Sequence, residues 1–197
     1  MDFILEIPNL FHKDVCEDMI KRFEKDDGKA PGVAGPNLKL VPSFKSSTDL
    51  FFSEKPEWED VVKYTFNKTQ QAYEIYKDHL NTKGLVQSLE YAFRDSYDMG
   101  YHIKKTTKGE YYNWHNDGLS KESRFLTFII YLNDLNPIYE GGGTTFHPTV
   151  GGGKVITPEQ GKMLIFPATW NYYHMGLPVV SDKPKYICVG QLCSKNI

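Results

Sequence analysis

Phe125-Leu126-Thr127-Phe128-Ile129-Ile130-Tyr131-Leu132 is an almost wholly apolar run, closed at once by Asn133-Asp134. A short run rich in β-branched and aromatic residues and ended by turn formers reads as a strand. The same alternation of short run and turn continues on either side. Strands are expected at Leu89–Phe93, Tyr101–Lys105, Lys154–Ile156, Lys162–Phe166 and Lys185–Leu192. The turns between them are Lys108-Gly109, Gly141-Gly142-Gly143, Gly151-Gly152-Gly153 and Glu159-Gln160-Gly161. Short strands joined by glycine-rich turns, with no helix between them, predict an antiparallel sandwich or barrel.

Upstream the period changes. Ile4–Ile7 reads as a short strand. Val15, Met19, Ile20 and Phe23 share one helical face, so a helix is expected over about 12–25. Gly28 to Asn37 is rich in Gly and Pro and reads as a loop. Ser53 and Pro56 are start signals for a second helix, whose stripe is Trp58, Val62, Phe66, Thr69, Tyr73, Tyr76 and Leu80, with Gly84 as its stop. The fold class is therefore mixed and β-rich (α+β). One domain over 1–197 is expected, with a helical support region at 1–86 and a jelly-roll core at 87–195.

Composition excludes some functions. The net charge is −2, so no basic face for nucleic acid is expected, and Lys104, Lys105 and Lys108 read as a solvated strand edge. Aromatics at 14% suit a pleated core. Cys16, Cys188 and Cys193 are sparse and odd in number, which argues against a disulfide scaffold. The start is too short and acidic for a signal peptide, and no apolar run suits a membrane span. A reducing, cytoplasmic compartment is the expectation.

The chemistry concentrates in Tyr111-Tyr112-Asn113-Trp114-His115-Asn116-Asp117. Along an extended strand residues i and i+2 point the same way, so His115 and Asp117 can offer an imidazole and a carboxylate to one ion. A distant second histidine would complete a facial triad and leave the opposite face of an octahedral iron open. The spacing alone is weak, because His12-Lys13-Asp14 repeats it at an expected helix start, where such residues serve as caps. Two histidines compete for the third position, His147 and His174. The residues after His174 favour it: Lys183 and Lys185 come soon downstream, and a bidentate oxoacid on the metal would need a cation for its far carboxylate.

From Leu89 to Cys193 the chain resembles the prolyl 4-hydroxylase-like branch of the iron/2-oxoglutarate oxygenases. The resemblance is carried by five ordered motifs: Gly109, Tyr112, His115 and Asp117; Arg124 leading to Tyr131-Leu132-Asn133; Glu140-Gly141-Gly142-Gly143-Thr144; Phe166-Pro167; and His174, Pro178-Val179 and Lys185. It implies a double-stranded β-helix and a dioxygenase that couples oxidative decarboxylation of 2-oxoglutarate to hydroxylation of a C–H bond. Position by position it implies that His115, Asp117 and His174 bind Fe(II). Lys185 and Thr144 would hold the distal carboxylate of 2-oxoglutarate, with Thr106 at a cosubstrate position. Tyr112, Arg124 and Gln191 would face the substrate. Ascorbate is a candidate auxiliary reductant.

The sequence departs from the family in three places. The basic residue usually lies ten positions after the distal histidine; Lys185 lies eleven after, which places a one-residue insertion around Asp182-Lys183-Pro184 and leaves Lys183 as the fallback. Thr106 stands where prolyl hydroxylases often carry a cosubstrate-touching Tyr, and Gln191 where they carry a substrate-contacting Trp. Trp114, Tyr112 and Trp170 are candidate pocket walls. The expected substrate is a protein or peptide side chain, with proline as the candidate. The alternatives are a free amino acid or other small molecule, and a non-catalytic jelly-roll binding module.

Overall fold

A computed structural model of the protein describes residues 3–35, 39–85, 93–118 and 123–195. Two antiparallel sheets face each other. Their strands are β1 (Leu5–Ile7), β2 (Ala30–Pro31), β3 (Thr48–Phe51), β4 (Ser96–Thr106), β5 (Tyr112–His115), β6 (Arg124–Tyr131), β7 (Thr144–Phe146), β8 (Val155–Ile156), β9 (Met163–Pro167), β10 (His174–Gly176) and β11 (Lys185–Ser194). The larger sheet runs β1-β9-β6-β11-β4-β3-β2 and the smaller runs β5-β10-β7-β8. This is the antiparallel sandwich that the glycine-punctuated strands predict, in the double-stranded β-helix form that the resemblance implies.

β6 is buried on both faces. Phe128 and Ile130 face the helical layer, while Ile129 and Tyr131 face the smaller sheet. The helical layer consists of α1 (Lys13–Lys25) and α2 (Glu59–Asn81), the latter entered through a 3-10 turn, Pro56–Trp58. Cys16, Met19 and Phe23 of α1 and Ala72, Tyr73, Tyr76 and Leu80 of α2 pack with Tyr101, Ile103, Met163, Ile165 and Cys188 of the sheet. This layer stiffens the sheet that lines the site. A short helical turn, α3 (Pro148–Gly151), links β7 to β8.

The first 86 residues supply more than helices. β1 pairs with β9, and β3 pairs with β4, so β4 is an interior strand and not an edge. The expected solvated edge is therefore wrong in part. Lys105 turns outward to Glu24 and Lys108 to Asp182, whereas Lys104 faces the interior pocket. The stripe on α2 is also corrected at its start. Val61 and Thr65 are buried where Val62 and Phe66 were expected, and Phe66 is 46% exposed. A helix lying close on a sheet accepts small or β-branched residues at the contact, and Thr65 and Thr69 fill that role where a Phe would hold the helix off. Of the expected strand Leu89–Phe93, all but Phe93 lies outside the described residues, and Phe93 is helical.

Candidate metal centre and cosubstrate pocket

His115 ends β5 and His174 begins β10, and the two are direct partners across that antiparallel pair. Directly opposed residues share a face, so their rings meet with centroids 4.2 Å apart. Asp117 lies just past β5. Its carboxylate oxygens are 3.8 Å from His115 Nε2 and 3.7 Å from His174 Nε2. Ligand atoms of these three residues all lie within 4.8 Å of one another.

The surroundings prepare each group. His115 Nδ1 lies 2.7 Å from the Asn113 carbonyl, and His174 Nδ1 lies 2.9 Å from that of Tyr172. A carbonyl only accepts, so each Nδ1 carries a proton and Nε2 is the nitrogen turned to the centre. Burial, reinforced by His174, pulls His115 down to about 3, which keeps it neutral. Asp117 also suffers from burial, but His174, His115 and a 2.7 Å hydrogen bond from Thr127 Oγ1 hold its carboxyl below the ordinary range. Two imidazoles and an ionised carboxylate are the donor set that suits a divalent transition metal with open positions.

Beside this centre lies a pocket of about 630 Å³, counting its open mouth, and lined in part by Thr106, Tyr112, Thr127, Thr144, Leu177, Lys185 and Ile187. Lys185 is only 4% exposed. Its ammonium finds no hydrogen-bond or ion-pair partner among the described residues and sits 5.7 Å from the centre of the Tyr131 ring. Burial alone lowers it to about 8. Tyr131 donates a 2.8 Å hydrogen bond to Thr144 Oγ1. That leaves the Thr144 hydroxyl proton free to point into the pocket. An uncompensated buried cation beside a hydroxyl donor is a receptor for a carboxylate.

Lys183, the fallback, is not in this pocket. It is half-exposed and 3.9 Å from Glu140. The extra residue of the His174–Lys185 spacing is taken up in the turn it occupies. The glycine run opposite allows this loop to lie close. Gly141 and Gly142 both have φ near +71°, and a Cβ on Gly141 would fall 2.1 Å from the Pro178 carbonyl oxygen.

A sequence model of the 2OG-Fe(II) oxygenase superfamily matches residues 101–192, the span that holds all of these groups. That stretch, just under half of the chain, is similar to the superfamily. Solved structures agree on the fold. A prolyl hydroxylase from Trichoplax adhaerens, in complex with a hypoxia inducible factor peptide fragment, matches with a TM-score of 0.78 at 13% identity, covering 99% of this chain and 85% of that one. A Pseudomonas putida prolyl-4-hydroxylase matches at 0.72 and 13% identity, covering 98% and 94%. A viral collagen prolyl hydroxylase from Paramecium Bursaria Chlorella virus-1 matches at 0.66 and 19% identity, covering 98% and 97%. No curated protein sequence matches the chain. The protein is a 2-oxoglutarate- and Fe(II)-dependent dioxygenase, with dioxygen as the other cosubstrate.

The remaining expected residues of the oxygenase divide by position. Thr106 pairs with Lys185 across β4 and β11 and lines the pocket. Tyr112 lines it too, stacked on His115 at 3.6 Å. Arg124 starts β6 and Gln191 sits at a bulge of β11; both are half-buried and neither lines the pocket. His147 is outside the metal group: its Nδ1 accepts from the Thr149 backbone N–H and caps α3. Trp114 stacks on Tyr173, and Trp170 is 73% exposed, so neither walls the pocket. His12 precedes α1, outside the metal group. The three cysteines are free and buried, and among the described residues no helix is long and apolar enough to cross a membrane.

Sequence reasoning missed Thr127, which fixes Asp117, and Tyr131, which it used only as a motif letter. It also missed Lys45, which is 4% exposed, reaches Asp49 Oδ2 at 2.6 Å and lies 5.3 Å from the Tyr112 ring centre. Only Tyr131 gave a signal, a tyrosine on the same strand face as Thr127 and Ile129.

Proposed function

We propose that this oxygenase hydroxylates proline in a peptide or protein. His115 and His174 hold Fe(II) through Nε2, and Asp117 holds it through its carboxylate. Lys185 and Thr144 hold the distal carboxylate of 2-oxoglutarate, and Thr106 lies along its path. The observation that carries the cosubstrate assignment is the buried Lys185 ammonium without a partner, beside a free hydroxyl proton. When bound, the iron supplies oxygen activation coupled to decarboxylation of 2-oxoglutarate to succinate. The chain's own share is positioning and exclusion of water: Ile129, Leu177, Ile187 and Val189 give the pocket apolar walls. Tyr112 stacks on His115 and faces the substrate.

Proline is supported by the three prolyl hydroxylases that share the fold. A free amino acid is the second reading. It is favoured by the absence of any aromatic side chain of β11 in the pocket wall, because Gln191 occupies that stretch without reaching the pocket. Turnover of 2-oxoglutarate to succinate with Fe(II) in air, against proline peptides and a panel of free amino acids, tests both. No succinate from any of them would end the assignment. Turnover with amino acids alone would move the substrate to the second reading.

A further inference from the structure

We propose that Lys104 anchors a carboxylate of the substrate, so that the group to be hydroxylated is carried on an anionic molecule or an acidic segment. This rests on the oxygenase reading above and names the substrate chemistry of the same site. Lys104 sits on β4 with Thr106 two residues on, so both side chains share the pocket face. Across β11 its partner is Ile187, and across β3 its partner is Asp49. The row Tyr131, Ile187, Lys104, Asp49 therefore crosses four strands of the larger sheet. Lys185 belongs to the next row, opposite Thr106. The floor of the pocket thus carries two cations at separate places.

Charge decides what the second one is for. Asp49 is the acid beside Lys104, and it is already committed to Lys45 Nζ at 2.6 Å and to Ser47 Oγ at 2.7 Å. Glu110, at the rim, accepts from Ser46 Oγ and from the Thr107 backbone N–H. Among the described residues no hydrogen bond or ion pair takes up the Lys104 ammonium, although it is half-buried. Lys45, Asp49 and Lys104 sum to one excess positive charge, and Glu110, whose donors are neutral, lies outside the pocket lining and forms no ion pair with Lys104. Fe(II), Asp117, dianionic 2-oxoglutarate and Lys185 would cancel among themselves. The excess stays on the wall next to the metal centre, where a carboxylate of the substrate would neutralise it with a charge-assisted hydrogen bond. Ser46 and Ser47 also line this wall.

The carboxylate has two sources, a free amino acid or an acidic peptide. The test uses the enzyme loaded anaerobically with Fe(II) and 2-oxoglutarate, with binding read by calorimetry. One pair of probes is L-proline and L-prolinamide. The other is a capped Gly-Pro-Glu-Gly peptide and its Gly-Pro-Lys-Gly counterpart. The expected result is that the carboxylate-bearing member of one pair binds at least about tenfold tighter than its counterpart. The pair that discriminates identifies the source. Lys104→Met should erase the discrimination and Lys104→Arg should retain it, while Lys104→Met weakens 2-oxoglutarate less than Lys185→Met does. Equal binding within both pairs, or discrimination surviving in Lys104→Met, overturns the proposal. So does a loss of 2-oxoglutarate affinity in Lys104→Met as large as that in Lys185→Met. Succinate formation in air with each probe reports the oxygenase reading separately. Its absence with every probe sinks that reading, and its presence with no probe discrimination sinks only this one.

Discussion

Replacing Lys185 with Met should make the protein more stable and less able to bind 2-oxoglutarate. Burial alone lowers the ammonium from 10.5 to about 8. A gap of about 2.5 in pKa is a penalty of about 3 kcal/mol on the charged form, at about 1.4 kcal/mol per unit. The residue is 4% exposed, so solvent screening takes little from that figure. Methionine keeps most of the stem and loses the terminal atom, at a cost of roughly 1 kcal/mol. The net gain expected at pH 7 is roughly 1–3 kcal/mol, read as a higher urea midpoint for the metal-free protein. The pH dependence gives the sign check. The folded pKa of a cation is depressed, so the penalty on the wild type is complete below about pH 8. It fades as pH rises towards 10.5, where the unfolded chain also loses the proton. The advantage of Lys185→Met should therefore shrink across that window. With Fe(II) present, saturating 2-oxoglutarate at a hundredfold over its Kd should protect the wild type by about 2.7 kcal/mol and leave the variant unprotected. Wild-type affinity for 2-oxoglutarate should fall as pH rises through about 8, because the anion needs the protonated amine. A variant destabilised at pH 7 that is still protected by 2-oxoglutarate would refute the reasoning and make Lys185 structural.

Thr127→Val removes the hydroxyl that bonds Asp117 at 2.7 Å. Metal affinity by competitive chelation should fall about 10–100-fold, and Thr127→Ser should restore it. His174→Ala should abolish metal binding. His147→Ala should keep it and cost about 1 kcal/mol of stability, since that ring caps α3; the opposite pattern would exchange the third ligand. Lys183→Ala removes only a half-exposed contact at 3.9 Å, so the 2-oxoglutarate KM should stay within about twofold of wild type.

The middle of the larger sheet was legible because β6 and β11 are long and apolar: Phe125–Leu132 and Lys185–Leu192 advertise burial by composition. β7 and β10 were not legible as strands, since three residues each, with Thr144 and His174 among them, offer the solvent-shy pattern almost nothing to count. The metal set was read from an ordered series of motifs rather than from any spacing, and His12-Lys13-Asp14 shows why. Lys104 was misread for a different reason. Period two gives the face of a strand but not the neighbour beside it, and the neighbour is β3, Thr48–Phe51, whose polar start follows a Gly- and Pro-rich loop. Without β3, β4 looks like an edge and its lysines look solvated. Lys45 could not be found at all, because its burial depends on Asp49 one turn of chain away and on packing over Tyr112.

The eleven-residue step from His174 to Lys185 tests how the site keeps its register. A slip of one residue in a strand turns every side chain to the other face, so an extra residue inside β10 or β11 would remove either a metal ligand or the buried cation. The loop between them is clamped on both flanks. Gly109 N–H donates to the Val179 carbonyl at 2.7 Å, and Val180 N–H donates to that of Glu140 at 2.9 Å. On the far side Asn133 Nδ2 donates to the Pro184 carbonyl at 2.9 Å and Asn133 Oδ1 accepts from Tyr186 N–H at 2.8 Å. Between the clamps, Ser181 to Lys183 make only a 3.3 Å hydrogen bond among themselves and exposed ion pairs from Lys108 to Asp182 and from Lys183 to Glu140. Slack there cannot propagate while both clamps hold. Deleting Asp182, which restores the ten-residue step, should leave 2-oxoglutarate affinity within about threefold and stability within about 1 kcal/mol, the worth of the exposed pair it removes. Asn133→Ala, which opens the clamp next to β11, should cost more 2-oxoglutarate affinity than the deletion does. If the deletion proves the more damaging of the two in a calorimetric titration, the turn rather than the clamps sets where Lys185 points.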